Sequence, residues 1–213
     1  MSLKSSLALR IGLKDTDSFF LKLYAFSFEI QRLLDRDTER RQTLKLIRPY
    51  THVNYARLTF LWDAVQDCIE NKKEGAFVET GVWRGGCAGI MAYLSKKYQY
   101  PNDLYFFDSF EGLPQPSEKD GRDAIMFAGN QKDGTLKSIN KVVSDEQYLE
   151  KLFDQVLEID TQHVHIHKGW FQDTLPKMHV KIGKIALLRL DGDWYESTKV
   201  ALEYLYPHVI PGG

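Results

Sequence analysis

Residues 76–98 read AFVETGVWRGGCAGIMAYLSKKY, and the order of residue types in this stretch decides the fold. Ala76, Phe77 and Val78 open a short apolar run that closes on Glu79 and Thr80. Three glycines, Gly81, Gly85 and Gly86, then fall within six positions, and Cys87–Tyr98 has the make-up of a helix. A strand, a glycine turn and a helix form the opening unit of a parallel α/β sheet. Downstream the alternation continues. Leu104–Asp108 (LYFFD), Val164–His167 and Ile185–Asp191 (IALLRLD) are further strand candidates, and Asp145–Ile159 and Thr198–Leu205 are helix candidates. Strands apolar on both faces, alternating with helices, predict a parallel sheet covered by helices. Residues 111–144 interrupt the pattern with many Gly, Pro, Asp, Lys and Ser residues. A connection that long inside a compact domain predicts a functional lid or loop.

Upstream, residues 17–75 read as helical. Ser18–Leu34 spaces Phe19, Leu23, Phe26, Ile30 and Leu33/Leu34 by three and four, an apolar stripe suited to packing on a second subunit in a homodimer. The following DRDTERRQTLK alternates acids with bases and reads as a solvated face rather than a nucleic-acid patch. Pro49 and YTHVN break the pattern, and a second helix is expected from Tyr55 to Asn71 with Leu58, Leu61, Trp62, Val65 and Ile69 on its apolar face. The expected division is a helical extension over 1–75 and a sheet domain over 76–213. With 28 Lys+Arg against 29 Asp+Glu in 213 residues, the net charge is -1, so no bulk electrostatic attraction to nucleic acid or anionic membrane is expected. Two cysteines cannot build a disulfide framework. The N-terminal MSLKSSLALRIGLKDTD, interrupted by Arg10 and Lys14, reads as neither signal peptide nor membrane anchor. A cytoplasmic setting is therefore expected.

Three chemical signals stand at strand ends, where open parallel sheets bind ligands. The first is Glu79-Thr80-Gly81-Val82-Trp83-Arg84-Gly85-Gly86. Glycines let a ligand approach the backbone, and the helix start offers free N–H groups. The spacing matches neither the dinucleotide fingerprint nor a phosphate-binding P-loop. Glu79 disfavours a phosphate and suits a cation, such as the ammonium of a methionine moiety; a plain tight turn is the competing reading. The second signal is Asp108 with Ser109, either a ribose contact or a turn cap. The third is Asp191-Gly192-Asp193-Trp194-Tyr195-Glu196. Its acids repel one another unless compensated, which suits a divalent cation, a general base, or a solvated turn capping the next helix. Arg189, if buried, needs an acidic partner. His163, His165 and His167 alternate, but residues two apart on a strand lie ~7 Å apart, too far to converge on zinc. Trp170 and Phe171 follow the third strand and could wall an adenine, with Asp173 near its amine. Cys87 reads as a packing residue.

FVETGVWRGG, YFFDSFEGLP, KGWFQDTLP and LRLDGDWYESTKVALEYLYP together resemble the macrocin O-methyltransferase (TylF-type) family, with PYTHVNYARLTFLWDAV resembling its approach to the first strand. The resemblance covers roughly residues 48–213. It implies a Rossmann-like class I methyltransferase sheet and S-adenosylmethionine-dependent transfer of a methyl group to a hydroxyl, typically of a sugar on a glycosylated natural product. By position, Glu79, Thr80, Gly81 and Trp83 match the segment holding the methionine part of the cofactor. Asp108 and Ser109 match the ribose contact, and Trp170 and Asp173 the segment near the adenine. Asp191 matches an acidic metal ligand, Mg2+ being implied, and Asp193 the acid proposed as general base.

One departure from the family pattern follows. The family's sheet has seven strands, and a fifth strand ends in an acid pair that completes the metal site. This chain ends at Ile210-Pro211-Gly212-Gly213, before that strand. The expectation is a four-stranded sheet with an apolar edge on its last strand and an incomplete metal site. Two alternatives to the methyltransferase reading stay open: a non-catalytic cofactor-binding homologue or fragment, and a nicotinamide-dependent oxidoreductase, against which the Glu-x-Gly turn argues.

Overall fold

The computed structural model describes residues 18–213, with side chains in the first helix from residue 23 onward. The N-terminal stretch 1–17 and the side chain of Phe19 lie outside the described residues.

Four parallel strands form one sheet in the order β3-β2-β1-β4. They are β1 (Ala76–Thr80), β2 (Leu104–Asp108), β3 (Val164–Lys168) and β4 (Ile185–Leu190). All five residues of β1 are buried, as a central strand covered on both faces requires. Alternation along β1 sends Phe77 and Glu79 to one face and Val78 and Thr80 to the other. On the first face lie α1 (Ser18–Leu34), α2 (Thr38–Ile47), α3 (Tyr55–Glu70), α4 (Gly86–Tyr98) and α6 (Glu146–Lys151). Their core contains Phe28, Trp62, Phe77, Met91, Phe106 and Phe153, so residues of the N-terminal helices and of the sheet share one apolar cluster. On the second face, α7 (Phe171–Ile182) and α8 (Tyr195–Leu205) cover Val78, Phe107, Leu175 and Leu205.

Side-chain caps start the helices where the sequence supplies them. Asp37 accepts from the Arg40 N–H at α2, and Asn54 from the Arg57 N–H at α3. Asp35 links these helices. It receives Arg40 at 2.7 Å and the Tyr55 hydroxyl at 2.7 Å. The Arg40 hydrogen bond holds its carboxyl down at about 2, against the opposing effect of burial.

On α1 the stripe residues Leu23, Phe26, Ile30, Leu33 and Leu34 are exposed, and Phe28, off the stripe, enters the core. Several expectations need correction. The mixed-charge stretch is not only a solvated face, because it supplies most of α2 and buries Thr43 and Leu44. The expected helix over Asp145–Ile159 is α6 continued by a π-helical turn, Leu152–Leu157. An unexpected helix, α7, joins β3 to β4, and α8 starts at Tyr195 rather than Thr198. Residues 111–144 have structure of their own: a 3-10 turn at Glu118–Asp120, α5 (Gly121–Phe127), and a bridge pairing Pro114 with Ser138. Beyond β4, Val209 pairs with Ile185, and the Ile210 N–H donates to the Ile185 carbonyl at 3.0 Å. No helix among the described residues is long and apolar enough to cross a membrane.

Candidate active site

The C-terminal ends of β1, β2 and β4 meet the N-terminal helices and the 111–144 segment around a cavity of ≈ 230 Å³. Sheet register builds its floor. Glu79 on β1 is the direct neighbour of Arg189 on β4. The Arg189 guanidinium donates through Nη1 to Glu79 Oε1 at 2.5 Å and through Nη2 to Asp191 Oδ2 at 2.9 Å. The other Glu79 oxygen, Oε2, is buried without a hydrogen-bond partner among the described residues, and Glu79 lines the cavity. Burial pushes the Glu79 carboxyl up to about 7; Arg189 pulls it down, and the negative charges of Asp191 and Asp108 push it further up. Burial by itself would lower Arg189, but Glu79, Cys87 and Asp191 outweigh that and hold its charge firmly. Gly81 brings the two strand ends together. Its φ is +85°, and a Cβ there would lie 2.2 Å from the Asp191 carbonyl oxygen.

The glycine turn is tied to β2 through Asp108. Asp108 Oδ2 accepts from the Trp83 N–H at 2.8 Å, and Oδ1 from the Phe110 N–H at 2.7 Å. Trp83 and Phe110 both have left-handed φ, 53° and 56°, so the carboxylate holds two strained turns. Burial raises the Asp108 carboxyl, and the N–H groups of Trp83, Phe110 and Val82 oppose that. Ser109 Oγ donates to the Gly112 carbonyl at 3.0 Å and accepts from the Glu111 N–H at 3.1 Å. Both residues thus cap turns, and both line the cavity. A carboxylate has about four acceptor positions, so Asp108 retains capacity for at least one more donor.

The β4–α8 turn and the 111–144 segment form another wall. Asp193 is exposed at the cavity with φ +53°. Trp194 packs with Ala124, Ala128 and Ile139, and its indole N–H donates to the Pro114 carbonyl at 2.9 Å. The Tyr195 N–H donates to Asp120 Oδ1 at 2.6 Å. The long connection is therefore fastened beside Asp193.

The remaining wall comes from the helical extension, whose individual lining residues sequence reasoning did not name. Tyr24, His52 and Arg57 from the helical extension line the cavity. The Tyr24 hydroxyl donates to the His52 carbonyl at 2.6 Å, and the His52 ring lies 4.1 Å from that of Trp83. Arg84 sits over Trp83 at 4.6 Å and over Tyr148 at 4.3 Å. The helix start can approach the extension because of Gly86, where a Cβ would meet Thr51 Cβ at 2.5 Å and the Tyr50 carbonyl oxygen at 2.9 Å.

Of the residues singled out from sequence, Glu79, Gly81, Trp83, Asp108, Ser109, Trp170, Asp191 and Asp193 line this cavity. Thr80 and Asp173 are not among the lining residues. Thr80 is buried on the opposite sheet face, and Asp173 is exposed on the first turn of α7, where Phe171 and Gln172 reach the cavity instead. His165 stacks on Tyr105 at 4.6 Å and His167 on Phe107 at 4.7 Å, so the alternating histidines pack along the sheet. Burial lowers His167, aided by His165 and Lys181. The Cys87 thiol is pushed up to about 12 by burial, which suits a packing role.

Asp191 is held by Arg189, and no group of three or more His, Cys, Asp or Glu among the described residues could hold a metal ion. The described residues alone do not fit Mg2+, since a hard divalent ion needs several oxygen ligands. The residues suit an adenosylated amino acid better: the half-satisfied Glu79 carboxylate would hold an ammonium, Trp83 and Trp170 would supply aromatic walls, and Asp108 would have acceptor capacity for a ribose.

A family model described as Macrocin-O-methyltransferase (TylF) matches residues 18–213. The chain is 36% identical over 165 residues to demethyldecarbamoylnovobiocin O-methyltransferase of Streptomyces niveus, covering 77% of this chain and 60% of that protein. It is 31% identical over 169 residues to mycinamicin III 3''-O-methyltransferase of Micromonospora griseorubida, covering 77% and 62%. The chain thus spans about three fifths of the length of these relatives. The solved structure of the O-methyltransferase NovP superposes with a TM-score of 0.61 at 31% identity, covering 91% of this chain and 80% of that one. Calicheamicin methyltransferase CalS11, 21% identical with a TM-score of 0.58 over 100% of this chain and 79% of its own, shares the fold.

Proposed function

The chain belongs to the macrocin O-methyltransferase (TylF) family, and from that premise we propose that it binds S-adenosylmethionine in this cavity and methylates a hydroxyl of a sugar-bearing natural product. Relatives named for O-methylation of such compounds support the acceptor class. The observation that carries the cofactor reading is Glu79: fully buried, held by Arg189 through one oxygen, its other oxygen without a partner at the cavity.

When bound, the cofactor supplies an electrophilic methyl on a sulfonium. The protein's work is then binding, orientation and proton transfer. Glu79 Oε2 accepts a hydrogen bond from the ammonium. Asp108 would accept from the ribose while keeping its backbone donors, and Ser109 shapes the turn beside it. Trp83 and Trp170 provide aromatic walls; Gly81 and the buried Thr80 shape the strand end, and Asp173 remains the residue proposed near the adenine amine. Asp193 takes the proton of the acceptor hydroxyl. Asp191 supplies an oxygen toward Mg2+ only if further donors join it from outside the described residues, so no step here is routed through a metal. A cytoplasmic setting belongs to the same proposal.

Titration calorimetry with S-adenosylhomocysteine tests it. The native chain binds, and Glu79→Gln loses a charge-assisted hydrogen bond of about 1.5–3 kcal/mol, weakening binding about 10- to 100-fold. Asp193→Asn retains binding and loses turnover on sugar-bearing acceptors. Equal loss of binding and turnover in Asp193→Asn overturns its role as base. Binding without turnover in the native chain supports the non-catalytic alternative.

A further inference from the structure

Helices α7 and α8 cover the same sheet face, and their two ends do different work. Phe171 at the start of α7 and Trp194 just before α8 line the cavity. At the far ends two histidines meet. His179 Nδ1 lies 3.2 Å from His208 Nε2, and the Tyr204 ring lies 5.1 Å from that of His179. His179 comes eight residues after Phe171, about 12 Å along the helix axis, and neither histidine lines the cavity.

The backbone fixes this meeting. Leu175 and Ile182, one turn to either side of His179, are buried against the sheet and set the rotation of α7. Helix α8 runs into a 3-10 turn, Tyr206–His208, in which Pro207 locks its own φ. Directly after His208, Val209 bridges to Ile185, and the Ile210 N–H donates to the Ile185 carbonyl. His208 is therefore held from both sides. Both imidazoles are partly buried, so neighbours limit their rotamers while solvent still reaches them.

Between neutral imidazoles this contact is a hydrogen bond, one ring nitrogen donating and the other accepting. The same separation suits a shared metal ion. A late first-row divalent ion binds imidazole nitrogen at about 2.0–2.1 Å. Two such bonds hold their nitrogens about 3.3 Å apart at a tetrahedral angle and about 2.9 Å apart at a right angle. The 3.2 Å separation falls inside that range. The rings are inclined at 67° with centroids 5.4 Å apart, so they are not stacked face to face.

We propose that His179 Nδ1 and His208 Nε2 together bind a late first-row transition-metal ion of the Zn2+, Cu2+ or Ni2+ class, with water completing its shell, as a clamp between the far ends of α7 and α8. On binding, the donor imidazole moves its proton to its other ring nitrogen, so both facing nitrogens offer lone pairs and no net proton leaves. Imidazole ligands favour these ions over Mg2+, which prefers oxygen. The clamp ties the segment that pairs with β4 to α7, so its effect is on stability. The inference rests on the histidine pair and not on the proposed reaction.

Thermal melts of the untagged, chelator-treated chain with Zn2+, and pulsed electron paramagnetic resonance with Cu2+, test it. With free Zn2+ at 100 times its dissociation constant the melting temperature should rise by about 5–10 °C, and Mg2+ at the same concentration should not raise it. The Cu2+ signal should carry the modulation of two coupled imidazoles. His179→Asn and His208→Gln each put an amide near the lost ring nitrogen, which keeps a hydrogen bond and removes the imidazole ligand. Each should weaken Cu2+ binding about 10-fold or more with the far-ultraviolet dichroism unchanged. His163→Gln, which removes a ring that meets Asp103 at 3.3 Å, should leave binding intact. No rise with Zn2+, a Cu2+ signal from a single imidazole, or binding that survives both pair variants overturns the proposal and leaves the pair as a hydrogen bond alone.

Discussion

Replacing Arg189 by Met removes the single guanidinium that serves both Glu79 and Asp191. Glu79 is 1% and Arg189 13% exposed in their side chains, so water cannot replace the lost partner. Breaking a buried pair from one side costs about 3–5 kcal/mol. In a chain of this size each kcal/mol moves the melting temperature by about 2–4 °C, so Arg189→Met should melt about 10 °C lower at alkaline pH, where Glu79 is charged. The double variant Glu79→Gln/Arg189→Met removes the uncompensated charge and should recover most of the loss. The pH dependence follows from the raised carboxyl. A carboxyl whose folded-state pKa exceeds its unfolded value contributes stability below the unfolded value and loses it as pH rises through the folded one. In the native protein that window runs from the ordinary 4.5 to about 7. Without Arg189 it extends higher. The Arg189→Met deficit should therefore be small at acid pH and full at alkaline pH, and the double variant should lack this slope. Thermal melts followed by circular dichroism decide it. A deficit independent of pH, or a double variant as unstable as the single one, would refute the electrostatic reasoning and leave Arg189 as a packing residue.

Two further outcomes follow from the turns. Asp108→Ala strips the acceptor from the Trp83 and Phe110 N–H groups, both in left-handed turns, and should cost about 2–4 kcal/mol, read as a lower denaturation midpoint in urea. Trp194→Phe keeps the aromatic packing and loses the bond to the Pro114 carbonyl, about 1 kcal/mol; its clearest effect should be faster tryptic cleavage at Lys132 and Lys137, and unchanged cleavage would show that Asp120 and the small cluster suffice.

The strands were legible because short runs apolar on both faces, such as LYFFD and IALLRL, have few other uses in a chain with helices between them. Helix α7 was not. Phe171, Leu175, Met178 and Ile182 have helical spacing and face the sheet, but interior Pro176 and the leading Trp170-Phe171 masked it as a loop. Periodicity marked the apolar stripe of α1, but it did not single out Phe28 as the residue that enters the core. In the site, Glu79 and Asp191 could be placed at strand ends from sequence, and Arg189 could be assigned an acidic need. The actual triad required the strand register. His52 and Tyr24 could not be found, because a carbonyl held across 28 positions leaves no local pattern. Asp108 was read as either ribose contact or cap; its backbone partners depend on left-handed conformations at Trp83 and Phe110 that sequence does not announce.

The neighbouring positions of Glu79 and Arg189 have a consequence for biosynthesis. The two residues are 110 positions apart, yet they sit side by side in the sheet. Synthesis proceeds from the N-terminus, so β1 and its glycine turn leave the ribosome long before β4. During that interval Glu79 has no counter-charge and cannot be buried cheaply. Contacts of such long range close late, because the loop between them must be ordered first. Among the described residues the ligand pocket should thus mature late, and a ligand that engages Glu79 should act on the nascent chain only after β4 has docked.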